Sequence, residues 1–171
     1  MTDVDRVLFL CTGNAARSVM AGAALADRLP EVIVETAGTL SIDGQPMSWR
    51  TRAALEAHGL AANHHRSRQA AEADLDRATL VIGLAPEHVR WVRRTHSTAS
   101  PRTATLKRLC RDLATDDRPL TARVADLGLA RVELADWEEV VDPGGGDAPE
   151  FLACADEVVA LVDQLARKLR R

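Results

Sequence analysis

The feature that most constrains the fold is a nearly continuous apolar run, VDRVLFLC, at residues 4–11. A strand with apolar residues at successive positions is buried on both faces. Strands of this kind occur in parallel sheets whose two sides are covered by helices. The run therefore predicts the first strand of an α/β protein.

Predicted strands and helices alternate along the rest of the chain. The Ser48 side chain can cap one helix and Gly59 can end it, while Pro86 suits the first turn of another. Ala85, just before that helix, has no side chain that could cap it. We predict strands at 4–11, 31–39, 78–85 and near 102–106, and helices at 17–29, 48–59, 86–94, from 107, and at 149–170.

Apolar residues recur at three- and four-residue steps through the C-terminal segment, which predicts a long amphipathic helix. The stripe consists of Leu152, Ala155, Val158, Val159, Val162, Leu165 and Leu169. Together, these elements predict a three-layer α/β/α fold around a small four-stranded parallel sheet. The length of 171 residues suits a single domain spanning 1–171.

Composition limits the classes of partner and the cellular compartment that we expect for this protein. The formal charge of −3 argues against a nucleic-acid or membrane partner. The apolar run at the N-terminus is too short for a signal peptide or a membrane span. Cys11, Cys110 and Cys154 are widely spaced and give neither a disulfide framework nor a metal motif. We therefore expect a cytoplasmic protein that is a monomer or a weak dimer.

The loop after the first strand combines features of an anion site. Ligands of open parallel sheets bind beyond the carboxyl ends of the strands. Cys11 ends the first strand and a helix begins near Arg17, so the backbone N–H groups between them converge on one small volume. Gly13 and Asn14 tolerate backbone angles that other residues avoid. Such a nest at a helix N-terminus binds a dianion such as phosphate.

Three side chains in this segment suit nucleophilic chemistry on phosphate. A cysteine beside converging N–H groups and a helix N-terminus loses its proton readily, so Cys11 is a candidate nucleophile. Arg17 can fork onto two phosphate oxygens. Ser18 can donate a hydrogen bond to the sulfur and stabilise it as a leaving group.

The motif VLFLCTGNAARS at 7–18 resembles V-x-F-x-C-x-G-N-x-x-R-S, the signature of low-molecular-weight protein tyrosine phosphatases. Other segments resemble the family in the same order along the chain. ETAGT at 35–39 is similar to its Ser-Ala-Gly-Thr stretch, and HRSRQ at 65–69 to its His-x-x-Arg-Gln stretch. TLKRLCRDL at 105–113 resembles a segment of bacterial members, and VVDPGGG at 140–146 contains the Asp-Pro pair.

The resemblance implies a two-step reaction without a metal or cofactor. The Cys11 thiolate attacks phosphorus while Asp142 protonates the leaving oxygen, and Asp142 then activates the water that releases inorganic phosphate. The expected substrate is a phosphorylated protein, with phosphotyrosine as the target, or a small phosphate ester. Phosphate would be held by Thr12, Gly13, Asn14, Ala15, Ala16, Arg17 and Ser18. Ser18, Thr36 and His65 would support the loop.

Substrate-facing positions depart from the family pattern. Members that act on phosphotyrosine carry an aromatic residue after Asp-Pro and another after Ser-Ala-Gly-Thr. Here Gly144 takes the first place and residues 40–46 contain no aromatic, although Trp49 and Phe151 are near in sequence. Ala15 matches neither the isoleucine of tyrosine-directed members nor the threonine of arginine-phosphate-directed ones.

Two alternatives follow from these departures. A phosphate- or phosphopeptide-binding module could keep the loop and lose efficient turnover. A thiol-linked arsenate reductase shares the fold and loop, but it needs relay cysteines, one of them close behind the nucleophile. Position 16 is Ala16 in this chain, and no spaced cysteine pair occurs mid-chain.

Overall fold

A computed structural model of the protein describes residues 4–170 and contains one parallel sheet. The strands are β1 (Arg6–Cys11), β2 (Ile33–Gly38), β3 (Leu80–Gly83) and β4 (Thr103–Thr105). Their order in the sheet is β2-β1-β3-β4, so β1 has a neighbour on each side. In the register, Cys11 lies opposite Gly38 and Leu10 lies opposite Gly83. The predicted four-stranded parallel sheet is confirmed.

The predicted helices are present within about two residues of their expected limits. The α-helices are α1 (Arg17–Arg28), α2 (Trp49–Ala57), α3 (Glu72–Arg77), α4 (Pro86–Thr95), α5 (Leu106–Asp112), α6 (Leu120–Ala125) and α7 (Ala148–Leu169). The described part of the chain also contains three 3₁₀ helices, which span Ser97–Arg102, Leu129–Arg131 and Asp136–Glu138. Over residues 4–170, none of these helices is long and apolar enough to cross a bilayer.

β1 is buried on both faces, as its apolar run predicts. Val7 and Phe9 belong to a large core cluster that includes residues of α1 and α7. Leu8 and Leu10 point to the other side and belong to a smaller cluster that includes Val81. The alternation along one strand confirms the three-layer arrangement.

The stripe on α7 is confirmed with one change at its start. Leu152 is exposed, whereas Phe151 and Cys154 are buried and begin the stripe. The remaining buried positions follow at three- and four-residue steps, and α7 packs against α1, α2 and α5. The buried residues of α7 are Phe151, Cys154, Ala155, Val158, Val159, Val162, Leu165, Ala166 and Leu169.

Two glycines allow the close packing that positions the loop after β1. A Cβ atom on Gly22 would lie 2.5 Å from Thr36 Cγ2, so α1 packs directly on β2. A Cβ atom on Gly38 would lie 2.5 Å from the Thr12 carbonyl oxygen. Real Cβ atoms do not approach this closely, so the end of β2 needs glycine to lie against the loop.

Candidate active site

The loop at residues 12–16 joins β1 to α1 and leaves the start of α1 open to an anion. Ala16 is the N-cap residue of α1 and supplies no side-chain hydrogen bond, and the first turn contains no acidic residue. The first N–H groups of a helix have no partner inside the helix, and the positive end of its dipole favours negative charge. These donors are therefore available to phosphate oxygens.

Asn14 is the central support of the loop. It is fully buried, and with φ of 53° it is the one non-glycine residue of the described chain in the left-handed region. Its Nδ2 donates to Ser18 Oγ (2.9 Å) and Thr36 Oγ1 (3.0 Å). Its Oδ1 accepts from the Arg68 backbone N–H (3.1 Å), and its carbonyl accepts from His65 Nε2 (2.8 Å). The structure thus brings together all three predicted support residues.

The outer side of the loop is held by two hydroxyl groups that the sequence analysis missed. Ser41 Oγ donates to the Gly13 carbonyl (2.9 Å), and Thr51 Oγ1 donates to the Ala15 carbonyl (3.1 Å). Gly13 has no positive φ, although glycine tolerates one. The positive φ of the loop is at Asn14. The only sequence signal for Thr51 is its place three residues after the helix cap.

The nucleophile candidate has a hydroxyl group as its hydrogen-bond partner. Cys11 Sγ lies 3.0 Å from Ser18 Oγ. Ser18 Oγ already accepts a hydrogen from Asn14 Nδ2, so its own hydroxyl proton is directed to another acceptor. The Cys11 sulfur lies within reach of that proton, and a hydrogen bond from Ser18 would stabilise the sulfur as a leaving group. The arrangement therefore suits attack by sulfur and its later departure.

Arg17 connects the loop to the far end of the chain. Its side chain is only 3% exposed, and Nη1 donates to the Val140 carbonyl (3.1 Å). Nη2 lies 3.3 Å from Asp142 Oδ2 and 3.5 Å from Thr12 Oγ1. The guanidinium is thereby fixed between the phosphate loop and the Asp-Pro segment.

Asp142 lies on the solvent-exposed side of Arg17, on a segment rich in glycine. Its side chain is 56% exposed, and Oδ1 accepts a hydrogen bond from the Gly144 backbone N–H (2.9 Å). A cleft of about 350 Å³ separates this segment from part of α7, where Glu150 and Cys154 line it. The carboxyl group is thus reachable from solvent and next to Arg17, and the segment that carries it has space to move.

Segments next to the loop carry three exposed apolar side chains, Leu40, Trp49 and Val141, which we call the rim. Phe151 is part of the buried core and does not line the site. Trp49 is 59% exposed at the start of α2, and Leu40 and Val141 are also exposed. The Leu40 backbone N–H donates to the Thr12 carbonyl (3.0 Å), which fixes this segment against the loop. Of the two aromatic candidates, only Trp49 has an exposed side chain.

A buried histidine that the sequence analysis did not connect with the site also contacts the loop. His88, in the first turn of α4, accepts a hydrogen bond from the Ala85 N–H at Nδ1 (3.0 Å), and its Nε2 lies 3.1 Å from Thr12 Oγ1. Ala85 supplies no side-chain cap to α4, as the sequence predicts, and the His88 ring instead accepts from the N–H of Ala85 itself. Burial lowers the pKa of His88 to about 3, and burial also lowers the pKa of His65.

The other two cysteines have raised thiol pKa values. Burial raises the pKa of the Cys110 thiol to about 11 and that of the Cys154 thiol to about 12. Cys110 Sγ donates to the Leu161 carbonyl (3.1 Å). Both groups are therefore protonated near neutral pH and are poor nucleophiles.

Comparison with known proteins shows the family of this chain. The family model described as low molecular weight phosphotyrosine protein phosphatase matches residues 6–171. The chain belongs to this family. It is 32% identical over 166 residues to a protein-arginine-phosphatase of Geobacillus stearothermophilus, with 96% of each chain covered.

Solved structures of related phosphatases have the same fold. The arginine phosphatase YwlE from Geobacillus stearothermophilus superimposes with a TM-score of 0.77 at 31% identity, covering 96% of this chain and 92% of that chain. A low molecular weight protein tyrosine phosphatase from T. tengcongensis gives a TM-score of 0.78 at 26% identity, covering 96% and 99%. This chain is therefore similar over nearly its whole length to phosphatases named for two different phosphorylated side chains.

Proposed function

We propose that this phosphatase removes phosphoryl groups from phosphorylated proteins through a phosphocysteine intermediate. One observation carries the proposal: two contact pairs stand side by side at the start of α1, Cys11 with Ser18 and Arg17 with Asp142. The sulfur lies 3.0 Å from the Ser18 hydroxyl, and Arg17 lies 3.3 Å from Asp142. Nucleophile, oxyanion clamp and acid candidate therefore meet at the open N-terminus of α1.

In the first step, the Cys11 thiolate attacks phosphorus in line with the leaving oxygen. The S–P bond forms as the P–O bond breaks, and Asp142 gives its proton to the departing oxygen. Arg17 and the loop N–H groups bind the other three phosphate oxygens, where charge is held during transfer. The alcohol or phenol leaves in its neutral form.

In the second step, the Asp142 carboxylate accepts a proton from a water molecule that attacks the phosphocysteine. The new P–O bond forms as the S–P bond breaks, so inorganic phosphate is released and the Cys11 thiolate returns. The hydrogen bond from Ser18 stabilises that thiolate as it leaves. Because the sulfur must stay reduced for this cycle, we place the protein in the cytoplasm.

We propose phosphotyrosine as the substrate side chain, and phosphoarginine is the second candidate. The exposed rim of Leu40, Val141 and Trp49 offers an apolar surface to a phenyl ring. Phosphoarginine is favoured by the Geobacillus relative, which matches nearly the whole chain. The exposed Asp142 carboxylate could also accept N–H groups of a guanidinium.

Turnover of para-nitrophenyl phosphate at mildly acidic pH tests the reaction. We expect activity in the wild-type protein and none in Cys11→Ser or Arg17→Ala. Asp142→Ala should lower the rate by about 10²–10⁴-fold, the usual contribution of a positioned acid. Wild-type protein that binds phosphate without turnover would instead indicate the binding module, and a near-normal Asp142→Ala enzyme would assign the acid role elsewhere.

Peptides that carry phosphotyrosine or phosphoarginine test the substrate class. If the rim holds a phenyl ring, Trp49→Ala should lower kcat/KM for phosphotyrosine and leave phosphoarginine nearly unchanged. Trp137→Ala is a matched control, since both indoles are exposed and each lies over an arginine, 4.9 Å from Arg50 and 4.2 Å from Arg111. Greater wild-type activity on phosphoarginine would select the second candidate.

A further inference from the structure

His88 occupies a position that links the sheet to the phosphate loop. Its side chain is only 1% exposed, and it lies in the first turn of α4 just beyond β3. The Leu84 N–H continues the pairing of β3 with β1 by donating to the Leu10 carbonyl (3.0 Å). Buried polar groups require hydrogen-bond partners, so both ring nitrogens of His88 must be satisfied at this edge of the sheet.

The contacts of His88 determine which nitrogen carries the proton. A backbone N–H can only donate, so the contact between Ala85 N–H and Nδ1 (3.0 Å) makes Nδ1 the acceptor. Burial, followed by the positive charge of Arg17, lowers the pKa of His88 to about 3, so the ring is neutral near pH 7. The single ring proton is therefore on Nε2.

The Nε2–H group faces the Thr12 hydroxyl. The distance from Nε2 to Thr12 Oγ1 is 3.1 Å, whereas Glu87 Oε1 is farther from Nε2, at 3.4 Å. Thr12 Oγ1 accepts from His88 and faces Arg17 Nη2 at 3.5 Å, and it donates its own proton towards Glu87 Oε1 at 3.4 Å. The hydroxyl orientation is thereby set, with a lone pair directed at Arg17.

We propose that His88 is a positioning residue of the phosphatase reaction, which holds the Thr12 hydroxyl where it orients Arg17 on the phosphate. The inference rests on the proposed function. Arg17 Nη2 faces two protein acceptors, Asp142 and Thr12. When Asp142 turns to the leaving group, Thr12 remains as the acceptor that keeps this edge of the guanidinium in place.

Two substitutions at His88 distinguish its contact with Thr12 from its contact with the Ala85 N–H at the start of α4. The amide of His88→Asn can replace Nδ1 and keep the Ala85 contact, but it does not reach Thr12. His88→Gln can replace Nε2 as the donor to Thr12 while giving up the Ala85 contact. We expect kcat/KM for para-nitrophenyl phosphate to fall about tenfold in His88→Asn, the value of one hydrogen bond, and to be largely retained in His88→Gln. His58→Asn, in a surface pair with Asp156, is the control with unchanged activity.

Thr12 supplies the second part of the test. Thr12→Val should lower kcat/KM as His88→Asn does, Thr12→Ser should retain it, and the double variant should lose no more than either single one. The affinity for inorganic phosphate should follow the same order, which tests His88 even if the wild-type protein binds without turnover. The proposal would be overturned if His88→Asn had activity and phosphate affinity equal to or higher than those of His88→Gln. It would also be overturned if the losses of His88→Asn and Thr12→Val were additive in the double variant.

Discussion

The positive φ of Asn14 leads to a prediction that reverses the usual order of two substitutions. Alanine normally stabilises a protein relative to glycine, because glycine loses more backbone freedom on folding. At φ of 53°, however, a Cβ atom is strained and glycine is not. We therefore expect Asn14→Gly to be more stable than Asn14→Ala.

The magnitudes follow from the contacts of Asn14. Both variants lose the side-chain hydrogen bonds to Ser18, Thr36 and the Arg68 N–H, each with a net value of about 0.5–1.5 kcal/mol. Both should therefore be about 2–4 kcal/mol less stable than wild type. Left-handed strain costs alanine about 1–2 kcal/mol, against about 0.4–1 kcal/mol of unfolded-state entropy that disfavours glycine. The difference between the variants should be about 1 kcal/mol.

Urea unfolding with linear extrapolation measures this difference, provided that the slopes agree among the variants. The buffer must contain no phosphate, because an anion bound to the native loop would add its own stabilisation. Asn63, exposed in a turn and without a positive φ, is the matched control, where alanine should be at least as stable as glycine. If Asn14→Ala is as stable as Asn14→Gly, the loop is not constrained by this backbone angle.

Two further predictions follow from the buried titratable groups. Between pH 6.5 and about 3 the unfolded chain binds one more proton at His88 than the native protein, so the free energy of unfolding should fall by about 1.4 kcal/mol per pH unit on acidification. Urea unfolding at pH 7, 6 and 5 should show a shallower fall in His88→Gln, and an unchanged slope would contradict this assignment. Iodoacetate at pH 7 should alkylate Cys11 before Cys110 and Cys154, whose thiol pKa values are raised, and labelling of native Cys11→Ser at a similar rate would refute this order.

The phosphate loop could be predicted from sequence because its chemistry is local. Cys11, Arg17 and Ser18 lie within one strand-turn-helix segment, so residue type and spacing alone indicate what they can do. The fold was predictable for a similar reason, since the successive apolar residues of β1 by themselves indicate a strand that is buried on both faces. Short elements such as α3 and α6, each of six residues, are too brief to show a full helical period.

The contacts around the loop were harder to predict because they depend on tertiary structure. His88 reaches Thr12 from another strand end, and Thr51 reaches Ala15 from α2. Nothing in the spacing of these residues indicates that they meet. The contact between the Ala85 N–H and His88 has the same origin, because it comes from a ring three residues later whose other nitrogen contacts the loop.

Because β1 lies between β2 and β3, the loop that follows it and the Asp-Pro segment at 142–146 should differ in their dynamics. Amide protons of β1 should exchange with solvent only when the whole protein unfolds, whereas those of 142–146 should exchange through small local openings. The loop that binds the phosphoryl group therefore keeps the same conformation from one turnover to the next. Differences among leaving groups can be accommodated by displacement of the Asp-Pro segment alone, without any rearrangement around the sulfur.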